Sequence, residues 1–72
     1  MILKSEKYAS PNAFVDALRP HHGKKAIASF RNPDFTRLDG TMYVYRNRVE
    51  FLGGKSIGHS HIANVSSIEI VD

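Results

Sequence analysis

The chain reads as a mainly β domain, with an N-terminal helix followed by a five-stranded, bent antiparallel sheet that closes as an SH3-like small barrel. Three observations predict this. First, Leu38, Gly40, Met42 and Val44 alternate with Asp39, Thr41, Tyr43 and Tyr45, the period-2 pattern of a strand with one face buried. Second, Arg46-Asn47 interrupts the alternation and Val49 and Phe51 resume it against Arg48 and Glu50, so the two runs make a hairpin. Third, Gly40 lies inside the first run, where a missing side chain marks a bend, a bulge or a close backbone approach.

In chain order, residues 1–9 are expected as a flexible arm, with the folded domain spanning 10–72. Ser10 is the natural N-cap of a helix with Pro11 at its first position, and Phe14, Ala17 and Leu18 form its apolar stripe. Pro20 ends the helix and biases Arg19 away from helical geometry. A helix this short does not hold by itself and must lie on the sheet. His21 to Lys25 is a basic connection, and Ala26 to Arg31 reads as a strand with Ile27 and Phe30 as its large apolar members. Asn32-Pro33-Asp34 is a turn leading into the central hairpin, and Gly53-Gly54 is the turn after it. Lys55 to Ile62 reads as a weaker strand carrying His59 and His61 on one face. Ala63-Asn64 is a tight turn, and Val65 to Val71 is a final β-branched strand.

A chain of 72 residues makes one small domain, and such a core is marginal without a disulfide, a metal or a partner. Cysteine is absent, which excludes disulfides, thiolate zinc sites and thiol nucleophiles and favours a reducing, cytoplasmic location. No apolar run approaches a membrane span. The net charge of +3 leans toward an anionic partner such as nucleic acid. Unpaired edges at the last two strands invite pairing with further copies of the chain, around a ring.

The residues resemble the Sm-like RNA-binding proteins, the family that includes bacterial Hfq. Phe14 to Arg19, FVDALR, is similar to the Hfq helix pattern FLNALR. Leu38 to Leu52 is similar to the first Sm motif, and Asn64-Val65 with Ile68 to the second, N-V-x-x-I. The resemblance covers roughly residues 12–71 and implies a homo-oligomeric ring of about five to seven copies that binds single-stranded RNA. Three positions depart from the pattern. Tyr45-Arg46 replaces an aromatic-aspartate at the hairpin turn, Arg48 replaces an aromatic that stacks on uracil, and His61-Ile62-Ala63 replaces a Tyr-Lys-His run.

In such a ring two turns converge on the pore, and here they would supply Arg46, Asn47 and Arg48, then His61 and Asn64. Guanidinium and imidazole planes stack on unpaired bases, and Asn amides read base edges. A second set, Arg19, His21, His22, Lys24 and Lys25, is expected at a basic outer rim that holds RNA backbone. Both sets have simpler roles too: Arg-Asn is a common turn pair, Asn64 stabilises turns, and cations at a helix end complement its dipole. Arg31 and Arg37 are placed on the opposite strand face.

The four histidines offer no obvious three- or four-ligand set for zinc, so neither metal nor cofactor is expected. The seven carboxylates are scattered, and Gly53-Gly54-Lys55-Ser56 lacks phosphate-loop spacing, so no catalytic residues are assigned and the chain is read as a non-enzyme. Two alternatives stand beside the RNA ring. Tyr43 to Phe51 also resembles the strand-turn-strand of PH/GRAM-like modules, which bind lipid head groups or proteins but are longer and close with a C-terminal helix. The other is a small phage or mobile-element protein of Sm-like fold that binds a protein.

Overall fold

The computed structural model describes residues 1–52 and 55–71, except for the side chain of His59. It is mainly β, with one short helix, α1 (Pro11–Leu18), and strands β1 (Ile2–Lys4), β2 (Lys25–Phe30), β3 (Leu38–Val44), β4 (Arg48–Phe51), β5 (Lys55–Gly58) and β6 (Val65–Ile70). All six strands join one open sheet in the order β1-β6-β2-β3-β4-β5, and every neighbouring pair is antiparallel.

The helix starts as expected. The Ser10 hydroxyl accepts from the Ala13 N–H at 3.2 Å, and Pro11 follows in the first turn. Phe14, Val15 and Leu18 are buried, and Ala17 packs at their margin. The α-helix ends at Leu18, but Arg19 keeps helical geometry (φ −55°, ψ −41°) against the expectation, and Pro20 lies inside a single 3-10 turn, Arg19–His21, that carries the chain toward β2.

The bend in the central strand is present. Residues Leu38–Thr41 of β3 pair with β2, whereas Met42–Val44 pair with β4. Handing one strand between two partners requires a corner, and Gly40 stands there with φ +149°, a conformation that residues with a side chain rarely adopt. The Leu52 backbone crosses directly over it, tied by its N–H to the Thr41 carbonyl at 2.9 Å. Asn32 closes the preceding turn, its side-chain oxygen accepting from the Asp34 N–H at 2.9 Å.

Three expectations are corrected. The sheet has six strands rather than five, because Ile2–Lys4, read as part of a loose arm, pairs with β6. Leu3 reaches the core at 7% exposure, and the Met1 carbonyl accepts from the Ile70 N–H at 2.7 Å. In β2 the core-facing members are Ala26 and Ala28, both fully buried, while Ile27 is half-buried on the other face. Finally, the strand expected over 55–62 stops at Gly58, and His59–Asn64 winds as a 3-10 segment. Ile57 and Ile62 are both buried, and a strand would send residues five apart to opposite faces; winding lets both reach the core.

The core is one cluster of α1, β3, β4 and β6 side chains with Ala26, Ala28, Leu3, Ile57 and Ile62. Met42, Val49, Phe51 and Ile68 are at most 1% exposed. Among the described residues, β1 and β5 are the edge strands of the sheet. Of the two edges that ring assembly was expected to use, those of the last two strands, β5 still lies at a sheet edge whereas β6 is occupied by β1. Among the described residues, no helix is long and apolar enough to cross a membrane.

Candidate nucleic-acid interface

The alternation that buries Met42 and Val44 turns Tyr43 and Tyr45 outward from the same strand. Cross-strand partners share a face, so Glu50 opposite Tyr43 and Lys25 opposite Thr41 lie on that outer surface too. Arg48 opens β4 beside the hairpin turn, where the Tyr45 N–H donates to the Arg48 carbonyl at 2.9 Å. Its guanidinium carbon lies 4.3 Å from the Tyr45 ring centroid, a cation–π contact. The same guanidinium donates to Asn47 Oδ1 at 3.2 Å and reaches Glu50 Oε2 at 3.5 Å. Side-chain exposures of 41% and 37% make that ion pair weak, so its value here is orientation.

His22 joins from the segment that leads into β2. Past the end of β2 the backbone keeps pairing with β3, through Gly23 N–H to the Met42 carbonyl at 2.7 Å and Met42 N–H to the Lys24 carbonyl at 2.8 Å. The positive φ of Gly23 (+86°) then turns the chain away, and the next donor on β3, Val44 N–H, would have no backbone acceptor. His22 Nδ1 takes it at 2.8 Å. An amide can only donate, so Nδ1 is unprotonated and Nε2 carries the hydrogen. The ring stands edge-on to both tyrosines, with centroids 5.6 Å from Tyr43 and 6.2 Å from Tyr45.

The outcome is a row of aromatic and cationic planes, His22, Tyr43, Tyr45 and Arg48, on the solvent face of the β3–β4 hairpin. It draws members from both sets expected from sequence, His22 from the rim and Arg48 with Asn47 from the turn. Asn47 orients Arg48 through its side-chain oxygen. Arg46 is exposed at the turn tip, and Lys24 and Lys25 are exposed at the start of β2.

The other expected residues lie apart. Arg19 is engaged with Asp16 at 3.1 Å on the helix surface. His21 is half-buried, and its Nδ1 is enclosed without a hydrogen-bond partner among the described residues. His61 borders a groove with Phe30, Phe35, Leu38 and Ile57. Asn64 gives its carbonyl to the Arg31 N–H at 2.8 Å. Among the described residues, no hydrogen bond, ion pair or ring contact joins His61 or Asn64 to Arg46, Asn47 or Arg48. The His59 side chain lies outside the described residues. Neither Arg31 nor Arg37 falls within a strand; they flank the turn between β2 and β3.

Neither Tyr43, read as a strand residue, nor Tyr45, read at the hairpin turn, is among the site residues expected from sequence. Their signal was available: two aromatics two apart, on the polar parity of a half-buried strand, with an arginine across the turn. Among the described residues no three of His, Asp or Glu cluster as a metal site would require. Compared with known proteins, the chain matches no family model, no curated protein and no solved structure.

Proposed function

We propose that this chain is a small Sm-like barrel that binds single-stranded RNA, with the outer face of the β3–β4 hairpin as its stacking surface. The observation that carries it is the grouping of Tyr43, Tyr45, His22 and Arg48 on one solvent-facing surface, held by backbone and side-chain hydrogen bonds. Aromatic rings on a sheet accept unpaired bases of any sequence, each stack being worth about 1–3 kcal/mol. A duplex keeps its bases stacked inside and offers no such faces, so single strands are the natural ligand. Arg46, Lys24 and Lys25 surround the platform with positive charge suited to phosphates, and the chain's net +3 adds a weak attraction. Gly40 at the corner of a bent central strand and a helix leading into the sheet support the Sm-like barrel.

Platform binding does not require the pore of a ring. Since β1 covers β6, assembly of five to seven copies through that edge would require β1 to leave it. Light scattering on purified protein reports which state exists.

The test is fluorescence anisotropy with a labelled oligouridylate of about ten nucleotides. Tyr45→Ala and Arg48→Ala are each expected to weaken binding roughly 5- to 100-fold, the equivalent of one lost stack. His61→Ala, remote from the platform, should leave affinity within about twofold. Equal affinity for all three variants and the parent protein would refute the platform. Stronger binding to anionic lipid vesicles than to the oligonucleotide would favour a head-group ligand instead.

A further inference from the structure

A second polar surface lies at the opposite end of β2 from the tyrosine platform. Six residues between Lys4 and Arg31, β1 and the start of β6, wall a cleft of about 260 Å³: Lys4, Ser5, Glu6, Arg31, Ser66 and Ser67. Every one is polar. The volume is below that of a pocket for a whole drug-sized molecule and suits a single charged group with its immediate neighbours.

The walls are internally braced. Arg31 Nη2 donates to the Ser5 hydroxyl at 3.0 Å, that hydroxyl donates to the Ser66 carbonyl at 3.2 Å, and the Ser66 hydroxyl donates to the Ser29 carbonyl at 3.1 Å. The Arg31 backbone is pinned separately through its N–H to the Asn64 carbonyl at 2.8 Å. One of five guanidinium N–H donors is thus used in holding the side chain, and the others have no acceptor among the described residues. Lys4, Glu6 and Ser67 likewise make no side-chain hydrogen bond or ion pair among the described residues. Two cations and a carboxylate therefore share one cleft without pairing with each other. An anion alone would meet Glu6 unfavourably; a ligand carrying both an anion and a hydroxyl satisfies all of them.

We propose that this cleft binds a ribose phosphate unit. Arg31 and Lys4 hold the phosphate, Ser67 donates to it, and the Glu6 carboxylate accepts from a sugar hydroxyl. The site is independent of the tyrosine platform, since it has no base-stacking surface and shares no residue with it. Its ligand is either a free sugar phosphate or the backbone of an RNA chain, and the two are separable by experiment.

Amide chemical shifts of the full chain are followed while ribose 5-phosphate, 2-deoxyribose 5-phosphate and, separately, an oligouridylate of about ten nucleotides are titrated in. Saturable shifts at Ser5, Arg31 and Ser67 are expected with ribose 5-phosphate. Arg31→Gln should weaken this by about tenfold, as loss of a charge-assisted hydrogen bond does. Glu6→Gln should bring the ribose and deoxyribose affinities together. Shifts with the oligonucleotide at much lower concentration than with the sugar phosphate identify the RNA backbone as the ligand, and the reverse identifies the free compound. The titrations use a base-free sugar phosphate, so they report on the cleft even if the tyrosine platform fails. Absence of saturable shifts with all ligands, or shifts unchanged in Arg31→Gln, would overturn the site.

Discussion

Replacing Gly40 with valine tests the corner on which the hairpin, and with it the tyrosine platform, depends. Two penalties coincide there. The φ of +149° excludes a side chain in its relaxed state, and a Cβ would sit 3.1 Å from the Leu52 carbonyl oxygen, with Leu52 N at 3.7 Å. Those are backbone atoms, and the Leu52 N–H is already bonded to Thr41, so the crossing strand cannot withdraw without losing that bond. The dihedral strain costs about 1–3 kcal/mol and the crowding about 1–3 kcal/mol more, giving roughly 2–6 kcal/mol for Gly40→Val. A domain of this size is stable by only about 4–11 kcal/mol, so the variant should melt about 10–30 °C lower. Two further glycines separate the causes. Gly23 has φ +86° but nothing within 4 Å of an added Cβ, so Gly23→Ala carries the dihedral cost alone, about 1 kcal/mol. Gly58 has neither problem, and Gly58→Ala should be neutral within about 0.5 kcal/mol. Thermal melts by circular dichroism rank the three. If Gly40→Val melts with Gly58→Ala, the corner is not strained and the account of the bend is wrong.

Ser10→Ala removes the side-chain N-cap of α1 and should cost about 1 kcal/mol, read as a lower urea midpoint with unchanged slope. Leu3→Ala should cost about 2 kcal/mol and speed amide exchange at Ile70, whose N–H is covered by Met1; unchanged exchange there would mean β1 is not seated on β6. His22→Ala leaves the Val44 N–H without its acceptor, so its exchange should quicken and RNA affinity should fall; a change in one without the other would break the link between His22 and the platform. RNA affinity should also fall steeply as salt rises, and a flat salt dependence would exclude phosphate contacts.

Local signals in the chain were enough for the helix, the central hairpin and the corner. Ser10-Pro11 encodes a helix start because a hydroxyl and a fixed φ act within one turn. The alternation from Leu38 to Val44 declares a strand because each residue reports which side faces the core. Gly40 marks a bend because only a residue without a side chain tolerates it. The site was half legible on the same grounds: Arg48, Asn47 and His22 stand out by residue type, whereas the tyrosines show only their outward parity and are not assigned to the site.

What the tertiary structure decided is which distant segments meet. Three residues, Ile2–Lys4, carry only one inward side chain, too few to show a period, and become a strand because β6 offers them an open edge. Residues 59–64 leave the extended form because Ile57 and Ile62 both need the core. Nothing local places His22, twenty-two residues from Val44, against that residue's amide; it arrives because the backbone leading into β2 offers no acceptor for the last donor of β3. Local stereochemistry thus set the elements, while competition for backbone partners and for core space set the surface they present.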